Sequence, residues 1–101
     1  MNRKIRTEAV DQLFDAVLSL KTKEECYSFF EDICTVNELF SLAQRFDVSI
    51  RLMEKKTYQE ISAATGASTV TISRVNRLLF DGNAGLEMAA SRIGKGKVES
   101  D

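Results

Sequence analysis

Three times along this chain a threonine is followed, three residues later, by a glutamate: Thr22 with Glu25, Thr35 with Glu38, and Thr57 with Glu60. The threonine hydroxyl can accept from the glutamate's N–H while the carboxylate accepts from the threonine's own N–H. Each pair therefore marks the start of a helix. No proline interrupts the sequences that follow, and no alternating apolar and polar run suggests a strand. The fold class is all-α, a helical bundle.

Periodicity fills in the helices. Residues 7–20 place Val10, Leu13, Phe14, Val17, Leu18 and Leu20 on one apolar side. The helix opened by Thr22 carries Cys26, Tyr27, Phe29, Phe30 and Ile33. The one opened by Thr35 is the longest and runs to about Lys55. Its Leu39, Leu42, Phe46, Val48, Ile50 and Leu52 surround more than one face, so it must be covered on several sides. Five of the six phenylalanines fall within residues 7–50. A small chain has few helices with which to cover such a surface. The N-terminal half is therefore expected to bury it against a second copy, giving a two-fold dimer; a compact monomer is the competing arrangement.

Residues 57–80, TYQEISAATGASTVTISRVNRLLF, carry the functional signal. They read as a short helix, a tight turn at Gly66 and a second helix capped by Ser68 or Thr69. Ile61 and Ala64 are expected to face inward, with small Ser62 and Ala63 permitting close approach. Ile72, Val75 and Leu79 form the buried stripe of the second helix. That spacing leaves Thr69, Val70, Ser73, Arg74, Asn76 and Arg77 on the other face, and Gln59 and Ser68 complete the candidate DNA-contacting set. Short side chains let a helix sit deep in a major groove. Thr and Val methyls can meet thymine methyls, and arginine can bind guanine or a phosphate. This is the layout of a helix-turn-helix DNA reader; a surface helix pair within a bundle is the plainer alternative.

The net charge of −1 is no obstacle, because its distribution follows the motif. Residues 1–50 hold six basic and nine acidic residues, whereas residues 51–80 hold five basic and two acidic. Few phosphates would be contacted by one chain, which again favours a dimer. No stretch approaches the ~20 apolar residues needed to cross a bilayer. MNRKIRTEAV has no apolar run behind it, so a signal peptide is not expected, and the cytoplasm is the expected location. Cys26 and Cys34 lie about 12 Å apart along helical sequence, too far to pair. With no histidine present they make a poor metal site, and both are expected to be buried, reduced packing residues. There is no phosphate loop, metal spacing or close carboxylate pair in a cleft. No catalytic residue, metal ligand or enzyme activity is expected.

The run SLAQRFDVSIRLM followed by YQEISAATGASTVTISRV resembles the tryptophan repressor superfamily, and within it the YerC/YecD group of bacterial proteins. ECYSFFEDICTVNE fits the same group, so the resemblance covers most of residues 8–93. It implies an intertwined, all-helical homodimer whose reader helices enter successive major grooves of a palindromic operator. It also implies an effector pocket, with Arg45 and Arg74 at the two positions that sandwich an indole in the repressor itself. The serine expected to hold the ligand's amino group is replaced by Leu78, and a small glycine by Val75. An ammonium against Leu78 loses a hydrogen bond at a cost of ~1–3 kcal/mol. Tryptophan is therefore disfavoured as corepressor, while a different small molecule remains open; Arg74 is then free to contact phosphate and Arg45 to pair with a carboxylate near Asp47 or on a partner chain.

The expected organisation is one helical domain over residues 1–93. Residues 7–56 supply dimerisation helices, 57–80 the helix-turn-helix and 84–93 a closing helix, before a disordered tail at 94–101. The expected function is a sequence-specific transcriptional regulator, a repressor, acting as a homodimer on double-stranded DNA. A protein-interaction module that kept the fold without specific DNA binding is the alternative.

Overall fold

A computed structural model describes residues 3–98 of the chain. A short 3-10 turn (Arg3–Ile5) precedes six helices: α1 (Glu8–Ser19), α2 (Lys23–Ile33), α3 (Val36–Met53), α4 (Tyr58–Thr65), α5 (Thr69–Asp81) and α6 (Gly85–Arg92). No strand occurs among the described residues. The chain divides into two compact units, residues 1–39 and 40–101.

The first unit is built from capped helices. Thr7 caps α1 by accepting from Val10 N–H at 3.2 Å, and Thr22 caps α2 by accepting from Glu25 N–H at 3.1 Å. The Glu25 carboxylate accepts from Lys21 N–H at 2.7 Å, one residue before the partner a capping box requires. At Thr35 the reciprocal pair is complete, with Glu38 accepting from Thr35 N–H at 2.8 Å. Neither α1 nor α2 contains a single buried residue. Phe14 is 54% exposed and Leu18 83%. Cys26 is exposed and Cys34 half-buried, both free thiols, so within one chain neither is the buried packing residue that was expected. Phe29 and Phe30 meet edge to face with centroids 5.3 Å apart.

The second unit has the core. Val48 of α3, Ile61 of α4, Ala67 of the turn, and Ile72 and Val75 of α5 are all buried in one cluster, with Leu52 and Leu86 packed against it. Each fully buried Val or Ile contributes roughly 1.5–3 kcal/mol of transfer free energy. The long helix thus underlies the α4–turn–α5 segment, and Leu86 of α6 packs against the same cluster, while Ala90 of α6 is buried as well. Ser49, also buried, satisfies its hydroxyl by donating to Phe46 C=O at 2.6 Å.

Two helix ends in this unit are closed in the same manner. At the end of α3, Lys55 takes a left-handed conformation (φ 66°). Lys55 N–H donates to Leu52 C=O and Lys56 N–H to Arg51 C=O, the paired bonds of a Schellman turn. Gly94 (φ 74°) does the same for α6, with Gly94 N–H on Ser91 C=O and Lys95 N–H on Ala90 C=O. The tail expected to be disordered from residue 94 therefore begins in a defined turn. Its Gly96 N–H then donates to Glu54 Oε2 at 3.3 Å. Residues 99–101 of that tail lie outside the described residues.

Candidate nucleic-acid interface

The helix-turn-helix is assembled by short-range bonds around one tight turn, of which Ala67 is the buried residue. Thr57 accepts from Glu60 N–H at 3.1 Å while Glu60 accepts from Thr57 N–H at 2.8 Å, a complete capping box that starts α4. Those bonds hold the Glu60 carboxyl below its ordinary range, the backbone bond being the larger cause. At the far end Thr65 donates to Ile61 C=O at 2.7 Å and accepts from Ala67 N–H at 3.1 Å. Gly66 between them is left-handed (φ 74°), where a side chain would be strained. Burial of Ala67, and not of Ala64, fills the space beneath the turn; Ala64 is exposed, contrary to the inward position its spacing suggested. Ser68 provides the cap of α5, accepting from Thr71 N–H at 3.2 Å.

With Ile72 and Val75 buried, α5 turns Thr69, Val70, Ser73, Arg74 and Arg77 outward. Together with Tyr58 of α4 these five line an open concavity of about 500 Å³. Val70 is 66% exposed, an apolar side chain standing in water on the first turn of the helix. Gln59 and Ser68 are exposed but do not line the concavity, and Asn76 is half-buried and does not line it either. Tyr58 is absent from the sequence-derived set. It follows the cap Thr57 and precedes Gln59, so the start of α4 was the available signal.

Arg45 and Arg74 come together as well. They line a cavity of about 250 Å³ with Gln44, Thr71, Val75 and Leu78 among its walls. Arg45 also reaches a more apolar space of about 430 Å³, where Leu42, Phe46, Leu78 and Leu86 contribute. Arg74 is shared between the first cavity and the outer concavity. Asp47 does not serve Arg45. Its carboxylate takes Arg51 Nε at 3.0 Å instead, one helical turn away. Among the described residues no group of acidic or cysteine side chains is placed to hold a metal ion.

The family model described as Trp repressor protein matches residues 8–93. The chain belongs to the Trp repressor family. Its relatives within the family share most of its length. The uncharacterized protein YerC of Bacillus subtilis (strain 168) is 54% identical over 97 residues, covering 96% of this chain and 93% of YerC. The crystal structure of a TrpR-like protein from Eubacterium eligens ATCC 27750 is 54% identical and superposes with a TM-score of 0.90, over 98% of this chain and all of that one. A crystal structure from Staphylococcus aureus, described as a candidate Trp repressor, is 46% identical with a TM-score of 0.90, over 100% of this chain and 99% of that one. The family is one of helix-turn-helix regulators, and the all-helical fold agrees with these relatives. No helix among the described residues is long and apolar enough to cross a membrane.

Proposed function

We propose that this protein is a sequence-specific DNA-binding transcriptional regulator, a cytoplasmic repressor, working as a homodimer on a palindromic operator. The observation that carries the reading is the outward face of α5, where Thr69, Val70, Ser73, Arg74 and Arg77 line one concavity with Tyr58. Small hydroxyls and a valine at the start of the helix let its backbone approach base edges, and the valine methyls suit thymine. The first N–H groups of a helix lack intrahelical acceptors and favour an anion, so the start of α5 suits a phosphate. Arg74 and Arg77 supply the charge for guanine or phosphate. Gln59, Ser68 and Asn76 belong to the rim of this interface.

The first unit supports the two-copy arrangement. Helices with no buried residue and with Phe14, Leu18, Tyr27 and Ile33 more than half exposed need a covering surface. A second copy supplies it symmetrically and doubles the phosphate contacts, which one reader helix provides sparsely.

The cavity between Arg45 and Arg74 is read as an effector site for a small anionic molecule. Leu78 and Val75 offer an ammonium group no acceptor on their part of the wall, which argues against tryptophan held as in the repressor, while Ser41, Gln44 and Thr71 supply polar atoms elsewhere in the lining. The test of the whole reading is duplex binding by the wild type against Thr69→Ala and Arg77→Ala, each expected to lose sequence-selective affinity. Intact selectivity in both would remove this face from the interface.

The exposed apolar surface of α1 and α2 favours one other reading, a module that binds another protein and not specific DNA. Capture of partners from a bacterial lysate that survives nuclease treatment, with sequence-insensitive DNA affinity, would support it.

A further inference from the structure

The C-terminal tail returns to the base of the helix-turn-helix and brings charge with it. Gly94 closes α6 and reverses the chain, and Gly96 N–H then meets Glu54 Oε2 at 3.3 Å. The approach is close: a Cβ on Gly96 would stand 3.3 Å from Met53 Sδ, and its φ of 80° is one that side chains rarely adopt. Only glycine fits this docking without strain.

The consequence is a cluster of four exposed lysines around one bond. Lys95 and Lys97 flank Gly96, while Lys55 and Lys56 directly follow Glu54. Among the described residues at this junction, the Glu54 carboxylate accepts from the tail's backbone. Lys55 holds a left-handed conformation that glycine or asparagine would adopt more cheaply. The patch also borders the reader along the chain, because Lys56 precedes the cap Thr57 and Tyr58 lines the concavity. None of the four lysines is buried and none caps a helix with its side chain, although Lys56 favours the charged form of the capping Glu60.

We propose that Lys55, Lys56, Lys95 and Lys97, held together by the Gly96–Glu54 bond, form a second phosphate-binding surface that grips the DNA backbone beside the bases read by α5. This rests on the DNA-binding reading above and extends it. A lysine ammonium is a point charge that contacts phosphate without reading sequence. The patch therefore sets affinity and salt dependence uniformly across sequences, while α5 sets preference.

The test is the slope of log affinity against log salt for the full-length protein on a mixed-sequence DNA duplex. Neutralising two contacts in the double variant Lys95→Gln, Lys97→Gln should lower the slope by about 1.8 per subunit. Gly96→Val keeps every charge but cannot dock, and should lower it similarly. Lys55→Gly relieves the left-handed backbone, so it should bind more weakly while remaining at least as stable as the wild type, which separates lost contact from lost folding. The expected result is a reduced slope in all three variants with the order of sequence preference unchanged. A double-lysine variant with the wild-type slope, while Arg77→Ala still weakens binding, overturns this inference and leaves the reader intact. Absence of any duplex binding by the wild type overturns both together.

Discussion

The side-chain amide of Gln44, in the middle of α3, donates to the carbonyl of Thr65 at 3.2 Å, across 21 residues of sequence. Thr65 ends α4 and is the residue whose hydroxyl ties Ile61 to Ala67 around the turn. One amide thus fixes the turn of the helix-turn-helix to the long helix, and Gln44, Arg45 and Arg74 line one cavity. Gln44→Glu keeps the size and removes the donor. It leaves the Thr65 carbonyl unpaired and opposite a carboxylate, and should cost about 1–3 kcal/mol, read as a lower denaturant midpoint with an unchanged slope. An unchanged midpoint would show that the contact is incidental.

Two residues of α5 separate packing from reading. Ile72 is fully buried and Val70 is 66% exposed. Ile72→Ala should destabilise by about 2–5 kcal/mol. Val70→Ala should stay within about 0.5 kcal/mol of wild type in stability yet weaken selective DNA binding. Chemical denaturation beside duplex titration checks both, and equal stability losses would reverse the assignment of faces.

Glu38 and Glu60 predict a shared acid dependence. Each has its pKa lowered from 4.5, first by a backbone hydrogen bond, from Thr35 and Thr57 respectively. A carboxyl depressed on folding stabilises above its unfolded pKa, and that contribution disappears as pH falls through the folded value. Melting temperature should therefore drop below pH 4.5. Replacing both residues with Gln should flatten this acid limb and lower stability near neutrality; an acid limb as steep as in the wild type would rule the two caps out as its source.

Much of this was legible in the sequence for identifiable reasons. The caps at Thr35 and Thr57 depend only on neighbours three residues away, so a local pattern announces them. The buried Ile61, Ile72 and Val75 follow from helical period. Ala64 did not, because the chain leaves the helix soon afterwards and the turn itself delivers Ala67 to the core. Gln44 to Thr65 and Gly96 to Glu54 were invisible for a different reason: each joins residues distant in sequence, and no local pattern encodes the meeting. The cysteines misled because a thiol is apolar enough to suit a core, yet α2, which holds Cys26 and is capped by Cys34, buries nothing within one chain.

The exposed first unit carries its own prediction. If a second copy covers Phe14 and Leu18, the melting temperature rises with protein concentration by mass action. Leu18→Glu should abolish that dependence and lower the melting temperature, and sedimentation should show the loss of the dimer. A wild-type melting temperature independent of concentration would contradict the two-fold arrangement.

The most direct measurement is selection of the purified protein against random duplex DNA at moderate salt, without ligand and again with a metabolite pool. The expected result is enrichment of a two-fold symmetric sequence by the wild type, lost in the Thr69→Ala, Arg77→Ala double variant. Failure to enrich any sequence under either condition would contradict the proposal that α5 reads DNA.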